Sequence, residues 1–331
     1  MKNCRIQEVD ILRGFAAVLM VLGHSFITYP VDISNVHWCA ALSHFIYTFH
    51  MELFFVLAGV VYKCGNYKDF LRNKLKRLIL PYAVFGGIAL VMKAVGGTLV
   101  NRDTPLTEGL LRYLFCGGNY WFIYTLFMML VLYPVLEHVF NTERSQWVLL
   151  VLFILLDRII PQTDFLRIGS IIDNYPYFIF GRLLSSRISN GIPTGKIASL
   201  FILGFLGVYI GIDQFEIRSG LDVGILNYVR SLSMVSALFL IARFFINITA
   251  KNWFCALTKL FLEICSRYSL QMYLFNGYLL TIIRTIICNI LGINVSIVIV
   301  LGLWLGNLII VLPACKWILP RIPGIRRACG F

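Results

Sequence analysis

Four ionisable side chains near the amino end stand in or beside apolar sequence: Asp10, Arg13, His24 and Glu52. Each type carries a chemistry. An imidazole titrates near neutrality and serves as general base or nucleophile. A guanidinium holds anions, and a carboxylate beside an imidazole orients it or stabilises its protonated form. Arg13 and His24 are eleven residues apart. At about 100° per residue that is three turns plus roughly 20°, so both lie on one helix face. At about 1.5 Å per residue they are roughly 16 Å apart along the axis, about half the hydrocarbon thickness of a bilayer. One stripe therefore carries a fixed cation near one end and a titratable ring well inside. Taken singly, Arg13 can be a cation that snorkels to the interface, and His24 a core histidine bonded to a backbone carbonyl. The shared face and a further buried charge at Glu52 favour a functional site.

These residues must be positioned by membrane helices. The chain has 331 residues, 59% hydrophobic and 14% charged, whereas a soluble domain is nearer half apolar and a quarter charged. The expected fold is all-α, a polytopic transmembrane helical bundle of about ten spans. They fall at about 9–29, 39–62, 78–96, 118–136, 146–160, 171–187, 196–212, 224–247, 268–290 and 293–318. The first has no small-residue cleavage signal behind it and is expected to be retained. Residues 1–331 are expected to form one membrane domain with no separate soluble one.

The net charge of +13 does not point to nucleic acid, because the cations sit in short loops. With the amino terminus in the cytosol, the inner loops collect Lys63, Lys68, Arg72, Lys74, Lys76, Arg77, Arg144, Arg187, Lys196, Arg243, Lys251, Lys259, Arg267, Lys316, Arg321, Arg326 and Arg327. The outer loops hold Lys93, Arg102, Arg112, Arg158, Arg167 and Arg218 among Asp103, Glu108, Asp164, Asp173, Asp213, Glu216 and Asp222. That asymmetry predicts both termini inside. The nine cysteines have no CxxC spacing, so no metal site and no disulfide framework are expected.

The second expected span carries His44, His50 and Glu52. Glu52 lies near its middle and can orient the His24 imidazole or pair with Arg13; the sequence does not choose. His44 and His50 lie further outward, where a polar group at the wet end of a helix is the simpler reading. Arg72, Lys76 and Arg77 belong to an amphipathic stretch from Lys68 to Tyr82. Such a loop binds anionic head groups and fixes topology, or receives a polyphosphorylated ligand. Tyr120 and Trp121 suit an interfacial belt or a pocket wall. Ser269, Tyr273 and Asn276 share one face, a pattern that more often joins helices than does chemistry. Arg230 and Arg284 are in-membrane cations with no evident partner.

Asp10-x-Leu-Arg13-Gly14 followed by His24 resembles the opening of the membrane acyltransferase-3 family, integral membrane O-acyltransferases of bacterial glycans. The likeness continues in order through Glu52-Leu-Phe-Phe-Val-Leu-Ala58-Gly59, Arg72-x-x-x-Lys76-Arg77-Leu-x-x-Pro81-Tyr82, Tyr120-Trp121-Phe122, Tyr177-Phe178-x-x-Gly181 and Ser269-Leu-x-x-Tyr273-Leu. Ala58 stands where the family often has Ser, and Asn276 where it often has His.

The resemblance implies a transferase of the bacterial plasma membrane that uses acyl-CoA, first of all acetyl-CoA, as co-substrate with no bound cofactor or metal. The acceptor would be a hydroxyl of a cell-surface glycan or its lipid-linked precursor, and glycan-biosynthesis proteins are possible partners. His24, Glu52 and Arg13 would be catalytic. Asp10, Arg72, Lys76, Arg77, Tyr120, Trp121, Tyr273 and Asn276 would bind substrates. Without an esterase-like domain after the tenth span, transfer would finish in the membrane unit or on a partner. Two rivals stand beside this reading: a multi-span transporter or flippase of a glycan or lipid precursor, and a scaffold for a membrane glycan complex. If Glu52 supports His24, Glu52→Gln slows transfer in vesicles by at least about tenfold; an inserted variant with the wild-type rate removes that role.

Overall fold

The computed structural model describes residues 6–96, 106–163, 165–189, 195–221, 223–249 and 252–322, with 324 and 329. Among the loop charges named above, Arg102, Asp103, Asp164, Asp222, Lys251, Arg326 and Arg327 lie outside the described residues. The described residues form helices and no strand. This is the arrangement in which each segment satisfies its own backbone groups in lipid. In order the helices are α1 (Gln7–Gly23), α2 (His37–Tyr47), α3 (His50–Val60), α4 (Tyr67–Lys74), α5 (Leu80–Gly96), α6 (Leu106–Cys116) and α7 (Trp121–Val139). They continue as α8 (Glu143–Ile159), α9 (Ile168–Ser189), α10 (Gly195–Ser219), α11 (Gly224–Thr249), α12 (Trp253–Arg267), α13 (Ser269–Arg284) and α14 (Ser296–Pro313).

Seven helical runs are long and apolar enough to cross a membrane: 37–60, 67–92, 107–139, 195–219, 224–249, 269–290 and 296–321. Three more helices, α1, α8 and α9, stand where the sequence places its first, fifth and sixth spans. Helices α6 and α12 are additions to the sequence-based expectation.

The chain divides into two compact units, Met1–Val61 with Phe180–Cys315, and Tyr62–Ile179 with Lys316–Phe331. In the first unit α1 is the hub, packing on α3, α11, α12, α13 and α14. A helix surrounded in this way needs small residues. Ala16 and Ala17 are fully buried. At Gly14 the α12 backbone comes so close that an added Cβ would lie 1.9 Å from the Leu262 carbonyl oxygen. Gly181 of α9 makes a similar approach to α3, where a Cβ would lie 2.1 Å from the Val56 carbonyl oxygen. In the second unit, Tyr62, Tyr133 and Phe178 meet edge to face. Tyr82 and Tyr113 stack there, and each hydroxyl donates to the other residue's carbonyl.

Two expected spans are reshaped. The first helix ends at Gly23 with His24 as its C-cap, rather than running to Tyr29. The apolar residues beyond it do other work: Ile27 and Ile33 pack with Ile283, Ile287 and Ile299 in one core cluster. The second expected span is broken at Thr48 and Phe49, where Phe49 leaves helical geometry. Three side chains support the break. The Thr48 hydroxyl donates to the Phe45 carbonyl at 2.8 Å and meets the Tyr209 hydroxyl at 2.9 Å. The Ser231 hydroxyl donates to the Thr48 carbonyl at 2.6 Å. Irregular backbone at membrane depth is stable only where such partners replace helical bonds.

A Cβ at position 14 must push two backbones apart, so Gly14→Ala should cost about 1–3 kcal/mol, read as a lower thermal midpoint of the detergent-solubilised protein. Gly204→Ala, where a Cβ meets nothing within 4 Å, is the control and should show no such loss.

Candidate active site

The site grows from the end of α1. Because His24 keeps right-handed helical geometry as the C-cap, the register between Arg13 and His24 is unbroken and their expected shared face is retained. The His24 backbone N–H donates to the Met20 carbonyl at 3.2 Å, and ring Nδ1 lies 2.8 Å from the same oxygen. A carbonyl only accepts, so in the neutral ring Nδ1 carries the hydrogen and Nε2 the lone pair. The side chain is exposed. The carbonyl bond of a core histidine is thus present on a ring that keeps accessible surface.

Glu52 lies on α3, which packs on α1. It falls in the first turn of α3, directly after the break. The positive end of a helix dipole favours a carboxylate at this position, which gives a local reason for an acidic residue in such apolar sequence. The break also changes the reading of His50. It is not at a wet helix end but 1% exposed. His44 is exposed and its Nε2 lies 2.8 Å from Asp213 Oδ1, as suits an outer polar residue.

At the other end of α1, Arg13 Nη1 lies 3.9 Å from Asp10 Oδ1. The carboxylate thus faces the cation one turn away. Two bonds fix this end against neighbouring helices: Arg243 Nη1 to Glu8 Oε1 at 2.8 Å, and Lys259 Nζ to Gln7 Oε1 at 3.1 Å. Glu8 was not singled out from the sequence, although a buried carboxylate in the first turn of an apolar helix was the available signal.

Helix α13 also packs on α1 and brings the half-buried Tyr273 and the buried Asn276. Asn307 of α14 donates to Asn276 Oδ1 at 3.0 Å, so Asn276 joins two helices. Trp304 of α14 donates to the Val18 carbonyl at 3.3 Å. The cations without evident partners now have them. Arg230 bonds Glu216 and also Asn227, the latter at 2.7 Å, with Asp213 3.7 Å away. Arg284 lies over the Tyr29 ring, 5.6 Å from its centroid.

The remaining predicted residues belong to the second unit. Arg72, Lys76 and Arg77 are all exposed. They lie on α4 and on a wide π turn at Leu75–Ile79 that leads into α5. The Asn66 side chain caps α4, accepting from the Lys68 and Asp69 backbone N–H groups. Tyr120 is buried at the start of α7. Trp121 lies beneath the Arg167 guanidinium, 5.8 Å from its ring, and Arg167 is tied to the Cys116 carbonyl at 2.7 Å.

The described residues are those of an all-helical membrane chain with an imidazole at a helix end and a carboxylate on the adjoining helix. The particular family follows from comparison. The profile described as "Acyltransferase domain" matches residues 6–315, nearly the whole chain, and the chain belongs to this acyltransferase-3 family. It is an integral membrane protein of the acyltransferase class. A curated relative, described as "Nodulation protein NolL" from Mesorhizobium japonicum, is 24% identical over 159 residues. That match covers 44% of this chain and 39% of the relative, so the chain spans well under half of the relative's length. No solved structure matches.

Diethyl pyrocarbonate, which acylates unprotonated imidazole nitrogen, should modify His24 well before His50 when peptides are followed by mass spectrometry. Equal rates would contradict the exposure of one ring and the burial of the other.

Proposed function

We propose that the protein moves an acyl group, acetyl in the first instance, from cytoplasmic acyl-CoA to a hydroxyl of a cell-surface glycan or its lipid-linked precursor. In this reading it spans the plasma membrane of a bacterium ten times, with both termini in the cytosol. The observation that carries the proposal is the His24 ring: Nδ1 is held by the Met20 carbonyl and the exposed side chain offers Nε2 as the basic atom.

The acceptor hydroxyl attacks the thioester carbonyl while His24 Nε2 removes its proton. The carbon–sulfur bond breaks, and the imidazolium returns the proton to the leaving thiolate, giving the ester and free CoA. A route through a transient acyl-imidazole would use the same lone pair. The thioester is already activated, so positioning and one base suffice. Glu52 is assigned to stabilise the imidazolium, since a backbone carbonyl already fixes the tautomer. In the second unit the exposed Arg72, Lys76 and Arg77 are assigned to the CoA phosphates, and in the first unit Arg13, with Asp10 beside it, is assigned to an anionic group of the substrate. Tyr120, Trp121 and Tyr273 are assigned to substrate contact, and Asn276 to support through its bond to Asn307. The family match favours this reading over a transporter or a scaffold.

The test is transfer of label from acyl-labelled acetyl-CoA into the glycan and lipid fraction of vesicles. Label should appear with wild type and fall by about a hundredfold or more with an inserted His24→Ala variant. Equal label in both would remove His24 from the chemistry. Substrate flux across the vesicle membrane without acetyl-CoA turnover would overturn the proposal in favour of transport.

A further inference from the structure

Unit 1 holds a second imidazole that the mechanism above does not use. His50 opens α3 directly after the break at Thr48 and Phe49, and only 1% of it is exposed. Its Nδ1 lies 2.9 Å from the Ile46 carbonyl oxygen. As in His24, the bond runs to the carbonyl four residues back, so Nδ1 carries the hydrogen and Nε2 the lone pair. His50 Nε2 is buried and meets no hydrogen-bond partner among the described residues. An acceptor left unmatched in such a place costs about 1–3 kcal/mol, whereas leucine or phenylalanine would fill the space without that cost.

The surroundings locate the ring. The Tyr47 ring stands edge-on to His50 with centroids 5.1 Å apart. A Cβ built on Gly23, the residue before His24, would lie 3.6 Å from that same Tyr47 ring. The Tyr47 ring thus stands between His50 and the residue before His24, with Glu52 two residues along the helix of His50. His50 and His24 present the same atom, a lone-pair-bearing Nε2, at one end of the α1–α3 contact.

We propose that His50 is a positioning residue of the His24 site, with its Nε2 accepting a hydrogen bond from an O–H group that lies between the two imidazoles. The inference rests on the acyltransferase reading and deepens it, because one base alone does not fix the direction from which a hydroxyl attacks. Two sources share this chemistry. One is a second hydroxyl of a polyol acceptor, whose attacking neighbour gives its proton to His24. The other is a water that donates to both rings.

The experiment gives vesicles acyl-labelled acetyl-CoA and follows label into ester and into free acetate, for wild type, His24→Ala, His50→Leu and His50→Gln. Glutamine keeps an acceptor oxygen; leucine removes it. If His50 holds an acceptor hydroxyl, His50→Leu lowers the ester-to-acetate ratio about tenfold, and His50→Gln restores most of it. If it holds a water, both products fall together by about tenfold in His50→Leu with KM for acetyl-CoA unchanged, and His50→Gln again recovers. A His50→Leu protein with wild-type rate and product ratio overturns the proposal, as does a His50→Gln protein as impaired as His50→Leu. Wild type that makes no ester brings down the acyltransferase reading instead. A readout without turnover then still decides the role of His50. In ring-15N-labelled protein, an Nε2 that accepts a hydrogen bond resonates upfield of a bare one, and a bare His50 Nε2 with and without acetyl-CoA overturns the proposal.

Discussion

The first unit depends on how closely backbones can approach α1. The hydrophobic effect does not drive helices together in lipid, so contact relies on packing and on the few polar bonds that cross. Helix α1 meets six others of its unit along about four and a half turns. It does so with Gly14, Ala16 and Ala17 where a larger helix surface would hold its neighbours off. Its polar residues then fall at the two ends of the same rod. Glu8, Asp10 and Arg13 stand at one end, with Arg243 and Lys259 bonded there from α11 and α12. His24 stands at the other. The glycine of the Asp-x-Leu-Arg-Gly stretch is therefore a packing residue, while the arginine beside it faces the Asp10 carboxylate.

The second constraint is the broken passage between α2 and α3. A break in lipid releases backbone groups that must be satisfied; the Thr48 and Ser231 hydroxyls donate to two such carbonyls, and Tyr209 bonds the Thr48 hydroxyl from α10. The result is a helix start deep in the unit, with His50 and Glu52 in its first turn. A continuous helix would have placed both residues on a plain cylinder. The interruption gives the carboxylate a helix amino end and turns the imidazole inward.

This division explains what could be read in the sequence. Apolar runs and charge-free stretches locate helices because hydrocarbon imposes length and composition on each span separately. Arg13, His24 and Glu52 were legible for the same reason, as charges that such runs rarely tolerate. The break at Thr48 was not, since no glycine or proline marks it and its supports lie 161 and 183 residues away along the chain. The end of α1 was missed because Ile27 is as apolar as a helical residue but serves a core cluster from a loop. His50 looked like an outer polar residue as long as the second span was taken as one straight helix. The roles of Asn276 and Arg230 needed their partners Asn307 and Glu216, which no local pattern supplies.

The carbonyl that sets the His24 tautomer belongs to Met20, one turn back in the same helix. The ring that the proposed mechanism uses as base is therefore oriented by α1 alone, with no second helix needed to choose which nitrogen carries the lone pair. Carboxylate-oriented imidazoles depend on the relative placement of two elements, and a shift between them changes the base as well as the pocket. Here the neighbouring helices can alter the volume and polarity facing the ring while its tautomer stays set within α1. The tautomer of the ring and the surroundings it faces are thus set by separate parts of the chain.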